Sequence, residues 1–176
     1  HDGVSDSVKN VENVVGTALA DTITGDDASN IISGAAQNDI IDGESGDDTL
    51  SGDGGDDTLR GGTGDDVIDG GTGTNTADYS GNSAVNVDLS DSNAQDTTGA
   101  GTDTLSNIQN LIGSTGNDVL TGSSVANSIS GGDGKDSLVA SGGDDALNGG
   151  SGSDWVDYTS ATSNVTVTYS GSGNAS

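Results

Sequence analysis

The segments GDGGDDTLR (Gly52–Arg60) and GGTGDDVID (Gly61–Asp69) stand back to back and share Gly at positions 1 and 4, Asp at 5 and 6 and an aliphatic residue at 8. Moving outward in steps of nine, unit starts fall at Gly16, Gly25, Gly34, Gly43, Gly52, Gly61 and Gly70, and a second series starts at Gly113, Gly122, Gly131, Ala140 and Gly149. Across these twelve units position 1 is Gly in eleven, and position 6 is Asp in nine and Asn in three (Asn30, Asn75, Asn127). Position 8 is Ile, Leu or Val in all but the unit carrying Ala77. Position 4 is Gly in eight, with Leu19, Ala28, Gln37 and Val125 in the others. Self-similarity at a fixed short period marks a repeat architecture in which no unit buries a core alone.

Each position has a physical reason. Gly at 1 and 4 is expected to take positive φ and let the chain turn sharply. Positions 7 to 9 then read as a three-residue strand whose middle residue points inward. Two units make one coil of about 18 residues, so units i and i+2 stack at the usual strand spacing of about 4.8 Å. The expected fold is all-β, with odd and even units forming two facing parallel sheets. Its core is a thin ribbon of Ile23, Ile32, Ile41, Leu50, Leu59 and Ile68, then Leu120, Ile129, Leu138, Leu147 and Val156.

Composition narrows the chemistry. The 176 residues include 31 Gly and no Phe, Met, Pro or Cys, and 29 acidic residues against three basic ones give a net charge of −26. Of the acids, 27 are Asp and only Glu12 and Glu44 are Glu. Disulfides and Cys/His metal sites are excluded, since the one His is His1. Lys9, Arg60 and Lys135 are too few to neutralise a phosphate backbone, so nucleic acid is not a partner. No apolar run is long enough for a membrane-spanning helix, so no membrane insertion is expected. No nucleophile–His–carboxylate set can be assembled, so the chain is not expected to be an enzyme.

Stacking units at i and i+2 sets Asp57 over Asp39 and Asp66 over Asp48. Like charges at that spacing call for a cation between them. Ca²⁺ suits the pattern: it takes six to eight oxygen ligands, accepts backbone carbonyls and tolerates irregular geometry. Mg²⁺ demands a tighter octahedron, and softer metals lack ligands here. The position-5 acids Asp47, Asp56, Asp65 and Asp144 read as a solvated acidic face.

These residues resemble the repeats-in-toxin (RTX) family, the haemolysin-type Ca²⁺-binding right-handed parallel β-roll. Full matches to its consensus G-G-x-G-x-D-x-U-x are Gly61–Asp69, Gly131–Val139 and Gly149–Asp157. The resemblance implies ions held between turns: carbonyls of positions 2 and 4 and the position-6 carboxylate of one turn face carbonyls of 1 and 3 and the position-6 carboxylate two units on. Carried over, Glu44, Gly46 and Asp48 pair with Gly61, Thr63 and Asp66, and Ala35, Gln37 and Asp39 pair with Gly52, Gly54 and Asp57. Asp53, Gly55 and Asp57 likewise pair with Gly70, Thr72 and Asn75, where an amide replaces one charge. In the second series Ser114, Gly116 and Asp118 pair with Gly131, Asp133 and Asp136, and Gly132, Gly134 and Asp136 pair with Gly149, Ser151 and Asp154. Asp21 and Asp145 extend the two runs, and the ceiling is about eight ions.

A longer repeat lies above the nonapeptide. DSVKNVENVVG (Asp6–Gly16) aligns without gaps on DTLSNIQNLIG (Asp103–Gly113), and DYSGNSAVNVDLS from Asp78 parallels DYTSATSNVTVTYS from Asp157. The expected organisation is a lead-in at 1–15, a first roll block of seven units at 16–78, and a β-rich connector with strand and lead-in at 79–112. A second block of five units at 113–157 and an exit strand with a cut tail at 158–176 complete it. Leu105, Ile108, Leu111 and Ile112 fit either a short helical turn or a continuation of the coil. Trp155, Tyr79 and Tyr158 are expected to cap the open ends of the rolls. The whole reads as a piece of a longer array.

The resemblance implies a secreted structural module, unfolded where Ca²⁺ is scarce and folded outside the cell or on the bacterial surface, where Ca²⁺ is abundant. It also implies the type I secretion apparatus as a partner during export, and the chain is expected to be a monomer. Two parents fit: an adhesin-like array with a surface or polysaccharide ligand, or an extracellular protease, lipase or alginate epimerase whose secretion and folding the module assists. The long repeat favours the array.

Overall fold

The computed structural model describes residues 11–161. Seventeen short strands follow one another with no helix among the described residues: β1 Asn13–Val15, β2 Thr22–Thr24, β3 Ile31–Ser33, β4 Ile40–Asp42, β5 Thr49–Ser51, β6 Thr58–Arg60, β7 Val67–Asp69 and β8 Thr76–Asp78. Then come β9 Asn86–Asp88, β10 Gln95–Asp96, β11 Thr102–Ser106, β12 Asn110–Ile112, β13 Val119–Thr121, β14 Ser128–Gly134, β15 Ser137–Val139, β16 Ala146–Gly152 and β17 Trp155–Asp157. Strands two apart in sequence pair in parallel, so Thr49 lies beside Ile31 and Thr58 beside Ile40. The chain is thus a β-solenoid, two short strands per coil, as the nine-residue period predicts.

Three sheets make its walls. One has the order β1-β3-β5-β7-β11-β10, a second β16-β14-β12-β8-β6-β4-β2, and a third β17-β15-β13-β9. The second sheet runs through both repeat series, because β12 pairs with β8 below and β14 above. On the opposite wall β11 returns onto β7, β10 covers β11 in the one antiparallel strand pair among the described residues, and β9 starts a new sheet under β13. The segment between β8 and β11 is therefore an excursion from a stack that closes again above it. The lead-in continues the coil: Leu105, Ile108 and Leu111 are buried, while Ile112 is exposed.

The position-8 side chains form the core. Ile32, Ile41, Leu50, Leu59, Ile68, Leu120, Ile129 and Leu138 are almost wholly buried, and Ile23 and Leu147 pack partly against them. Val156 departs from the expectation at 39% exposed, since among the described strands β17 lies at the edge of its sheet. The end-cap reading of the aromatics is also corrected. Tyr79 is buried inside the stack, because coils continue above it, and Trp155 is 69% exposed. In the excursion, Val85 and Val87 point inward, as the alternation of Val85, Val87 and Leu89 predicts. The corresponding strand at Val165 to Tyr169 lies outside the described residues, as does most of the lead-in before Val11.

Candidate metal centre

Seven of the turns between strands share one conformation. In the units starting at Gly34, Gly43, Gly52, Gly61, Gly70, Gly131 and Gly149 the residues at positions 2 and 4 both have positive φ, for example Glu44 (75°) with Gly46 (109°) and Gly62 (106°) with Gly64 (141°). Left-handed backbone is thus needed at 2 and 4, not at 1 and 4 as the sequence suggests. Non-Gly residues hold it at Ala35, Gln37, Glu44 and Asp53, which costs on the order of 1 kcal/mol each. The turns carrying Leu19, Ala28 and Val125 do not adopt it, and neither does the turn at Ser114 and Gly116.

Glycine at position 1 has a different cause. A Cβ at Gly61 would collide with Oδ2 of Asp66 in the same unit, and the same holds at Gly34 with Asp39, Gly43 with Asp48, Gly52 with Asp57 and Gly131 with Asp136. The position-6 carboxylate is folded back against the bare Cα. Ala140, the one position-1 residue with a Cβ among the twelve units, heads a unit whose Asp145 is only partly buried.

The carboxylates so held form ladders along the stack. The N–H of Asp21 donates to Oδ1 of Asp39 (2.8 Å), that of Asp39 to Asp57 (2.8 Å), and that of Asp48 to Asp66 (2.9 Å). In the second series the N–H of Asp118 donates to Asp136 (2.9 Å), and that of Asp136 to Asp154 (3.1 Å). Asp39, Asp48, Asp57, Asp66 and Asp136 are each at most 2% exposed, and in every one Oδ2 has no hydrogen-bond donor. Asp118, equally buried, differs: its Oδ2 accepts the N–H of Ser114 (2.6 Å) and its Oδ1 the Ser114 hydroxyl (2.7 Å).

An anionic oxygen buried without a donor is unstable and must find a proton or a cation. Burial, opposed in part by the Asn30 N–H and reinforced by neighbouring carboxylates, pushes Asp48 up to about 6. Burial also pushes Asp66 up to about 7, with Asp103 and Asp48 adding to the shift. Asp39, Asp57 and Asp136 move upward for the same leading reason.

Position-1 carbonyls lie close to these oxygens, since a Cβ at Gly43 would meet both Oδ2 of Asp48 and the Gly61 carbonyl, and one at Gly52 both Oδ2 of Asp57 and the Gly70 carbonyl. The N–H of Thr63 donates to the Glu44 carbonyl (3.1 Å), and that of Gly46 to the Thr63 carbonyl (2.9 Å). The pairs Thr72 to Asp53 (2.8 Å) and Gly55 to Thr72 (3.0 Å) repeat the pattern. Gly132, Asp133 and Gly134 run in register with Gly150, Ser151 and Gly152. Each carbonyl keeps a second lone pair. Among the described residues no group of three or more carboxylate or imidazole side chains forms a cage by itself. A cation held here must therefore draw on backbone carbonyls, which suits hard Ca²⁺. The residues fit that ion: oxygen donors, no sulfur or imidazole, and a buried carboxylate oxygen without a donor in five of the seven left-handed turns.

Two features escaped the sequence reading. Position-5 side chains are structural: Oδ1 of Asp47 accepts the N–H of Asp65 (3.0 Å), Asn38 that of Asp56 (2.9 Å), Asp56 that of Thr74 (2.8 Å) and Asn117 that of Lys135 (2.8 Å). The signal was present, since Asn replaces Asp at that position without loss of the acceptor. The second feature is a hidden unit, Thr98–Ser106 (TGAGTDTLS), which keeps Gly at 4, Asp at 6 and Leu at 8 and sets Asp103 over Asp66.

Comparison with known families agrees with this geometry. Four copies of the family model described as the RTX calcium-binding nonapeptide repeat match residues 15–50, 42–77, 108–124 and 121–156, together well over half of the chain. A comparison with curated proteins gives no match. Proteins with these repeats are generally secreted through type I systems, and the β-roll is a structural calcium-binding module rather than a catalytic fold. Repeat, stacked left-handed turns and family match agree: the chain belongs to the RTX calcium-binding nonapeptide-repeat family.

Proposed function

We propose that Ca²⁺ ions lie between stacked left-handed turns and that the chain folds when they bind outside the cell. The observation that carries this reading is the set of five buried Oδ2 atoms, on Asp39, Asp48, Asp57, Asp66 and Asp136, aligned on the ladders with no donor. Glu44, Gly46 and Asp48 with Gly61, Thr63 and Asp66 would hold one ion, and Ala35, Gln37 and Asp39 with Gly52, Gly54 and Asp57 another. Asp53, Gly55, Gly70, Thr72 and Asn75 would hold a less charged site. Gly132, Gly134, Asp136, Gly149, Ser151 and Asp154 serve the second series, while at Ser114, Gly116 and Asp118, paired with Gly131, Asp133 and Asp136, an ion would enter only as Ser114 releases the Asp118 carboxylate. Bound Ca²⁺ supplies the positive charge that the ladder lacks. The chain's own part is to hold the carboxylates dry and aligned and to present the turn carbonyls.

The chain is further read as a monomeric spacer of an adhesin-like array, exported unfolded by a type I apparatus, with any surface ligand belonging to its parent. The lead-in repeated 97 residues on and the stack that closes over the excursion support an array over an enzyme's terminal module. The test is far-UV circular dichroism at neutral pH. Calcium-free protein should give a disordered spectrum, and millimolar Ca²⁺ a cooperative β signal that Mg²⁺ does not reproduce. A strong β spectrum in excess chelator would sink the proposal.

A further inference from the structure

Where the two repeat series join, the acceptors left open elsewhere are filled by protein. Asp103 stacks over Asp66 and accepts its N–H on Oδ1 (3.1 Å), as any ladder carboxylate does. Its Oδ2, however, accepts the Tyr79 hydroxyl (3.1 Å) and lies 3.0 Å from the Thr97 hydroxyl. Directly below, the Gly62 carbonyl accepts the Asn82 side-chain amide (2.6 Å). Tyr79, Asn82 and Thr97 all belong to the excursion, and all three are buried.

The opposite side of the stack is neutralised in another way. There the ladder passes from Asp57 to Asn75, whose N–H donates to Oε1 of Gln109 (2.8 Å), and Asn127 follows. Three amides in succession replace carboxylates, and their N–H groups take turn carbonyls: Asn75 Nδ2 donates to the Asn107 carbonyl (3.1 Å) and Asn127 Nδ2 to the Gln109 carbonyl (2.7 Å). Of these clasp side chains only the amide oxygen of Asn82 is left buried without a donor, and it bears no formal charge.

We infer that this middle section is a cation-free clasp: the excursion inserts hydroxyl and amide donors where the flanking coils would take Ca²⁺, and so splices two ion-dependent ladders through an ion-independent joint. The inference rests on the reading that the left-handed turns hold Ca²⁺. It assigns Tyr79, Asn82, Thr97 and Asp103 a shared role that a nonapeptide count does not reveal. It also places the interval between Asp66 and Asp103 outside the set of ion sites, although the hidden unit Thr98–Ser106 carries the Gly and Asp such a site would need.

The experiment is a crystal of the full chain grown in Ca²⁺ or Tb³⁺, with ions located by anomalous scattering. Density is expected between the turns of Asp48 and Asp66, of Asp39 and Asp57 and of Asp57 and Asn75, and absent between Asp66 and Asp103, between Asn75 and Gln109 and between Gln109 and Asn127. An ion between Asp66 and Asp103, with ions present in the ladders, overturns the clasp alone. Ions absent from every turn overturn the calcium reading and the clasp with it. Native mass spectrometry gives a second readout. Asp103→Asn should leave the bound-ion count unchanged while Asp66→Asn lowers it, and loss of an ion in Asp103→Asn contradicts the clasp.

Discussion

The N–H of Asp48 donates to Oδ1 of Asp66, eighteen residues later, and leaves Oδ2 of that carboxylate buried with no donor. One residue earlier the direction reverses, and the N–H of Asp65 donates to Oδ1 of Asp47. Adjacent aspartates thus clip each coil to both neighbours. Only the position-6 member keeps a dry, unpaired oxygen, and that asymmetry separates the structural acids from those proposed to bind ions.

The buried carboxyls set a pH response in calcium-free protein. Asp48 and Asp66 titrate near 6 and 7 when folded, against an ordinary value near 3.8. They therefore hold more protons folded than unfolded across that window, and stability falls as pH rises through it. Without calcium, circular dichroism should show β structure near pH 4.5 that is lost by pH 7.5. A spectrum unchanged across that range would contradict the burial of these carboxyls.

Gly61→Ala tests the close approach at position 1. The new Cβ meets Oδ2 of Asp66, so thermal unfolding in millimolar Ca²⁺ should show a loss of about 1–3 kcal/mol. Gly81→Ala is the control. Its Cβ would meet nothing nearer than Cδ of Arg60 at 3.8 Å, and its stability should stay within about 0.5 kcal/mol of the parent.

Position 5 predicts a split between two substitutions. Asp56→Asn keeps the acceptor for the Thr74 N–H and should hold both stability and ion count. Asp56→Ala removes it and should cost about 1 kcal/mol with the same ion count. A fall in bound Ca²⁺ for either variant, measured by calorimetry, would make Asp56 a ligand.

Much of this was legible because the period is rigid. Nine residues fix Leu59 inward, Thr58 outward and Arg60 level with Asp42, which it meets in an ion pair (2.9 Å). The turn residues were read less well. Gly61 and Gly62 look alike in sequence, but one makes room for a carboxylate and the other supplies left-handed backbone. The splice was hidden because spacing fails there: Asp66 meets Asp103 across 37 residues, Asn75 meets Gln109 across 34 and Val85 meets Asp118 across 33, where the steps within each repeat series are 18. No fixed-period search finds such partners, and Gln109 lacks even the side-chain type expected at position 6.

The central claim is that the unpaired oxygens of the ladders hold Ca²⁺, and Asp57 and Asp136 each fall in two of the proposed ion pairs. Calorimetric titration of Ca²⁺ into the calcium-free chain, compared with the same titration of Asp57→Ala combined with Asp136→Ala, tests it most directly. The account predicts fewer ions bound and weaker cooperative uptake in the double variant. Unchanged stoichiometry and affinity would contradict it.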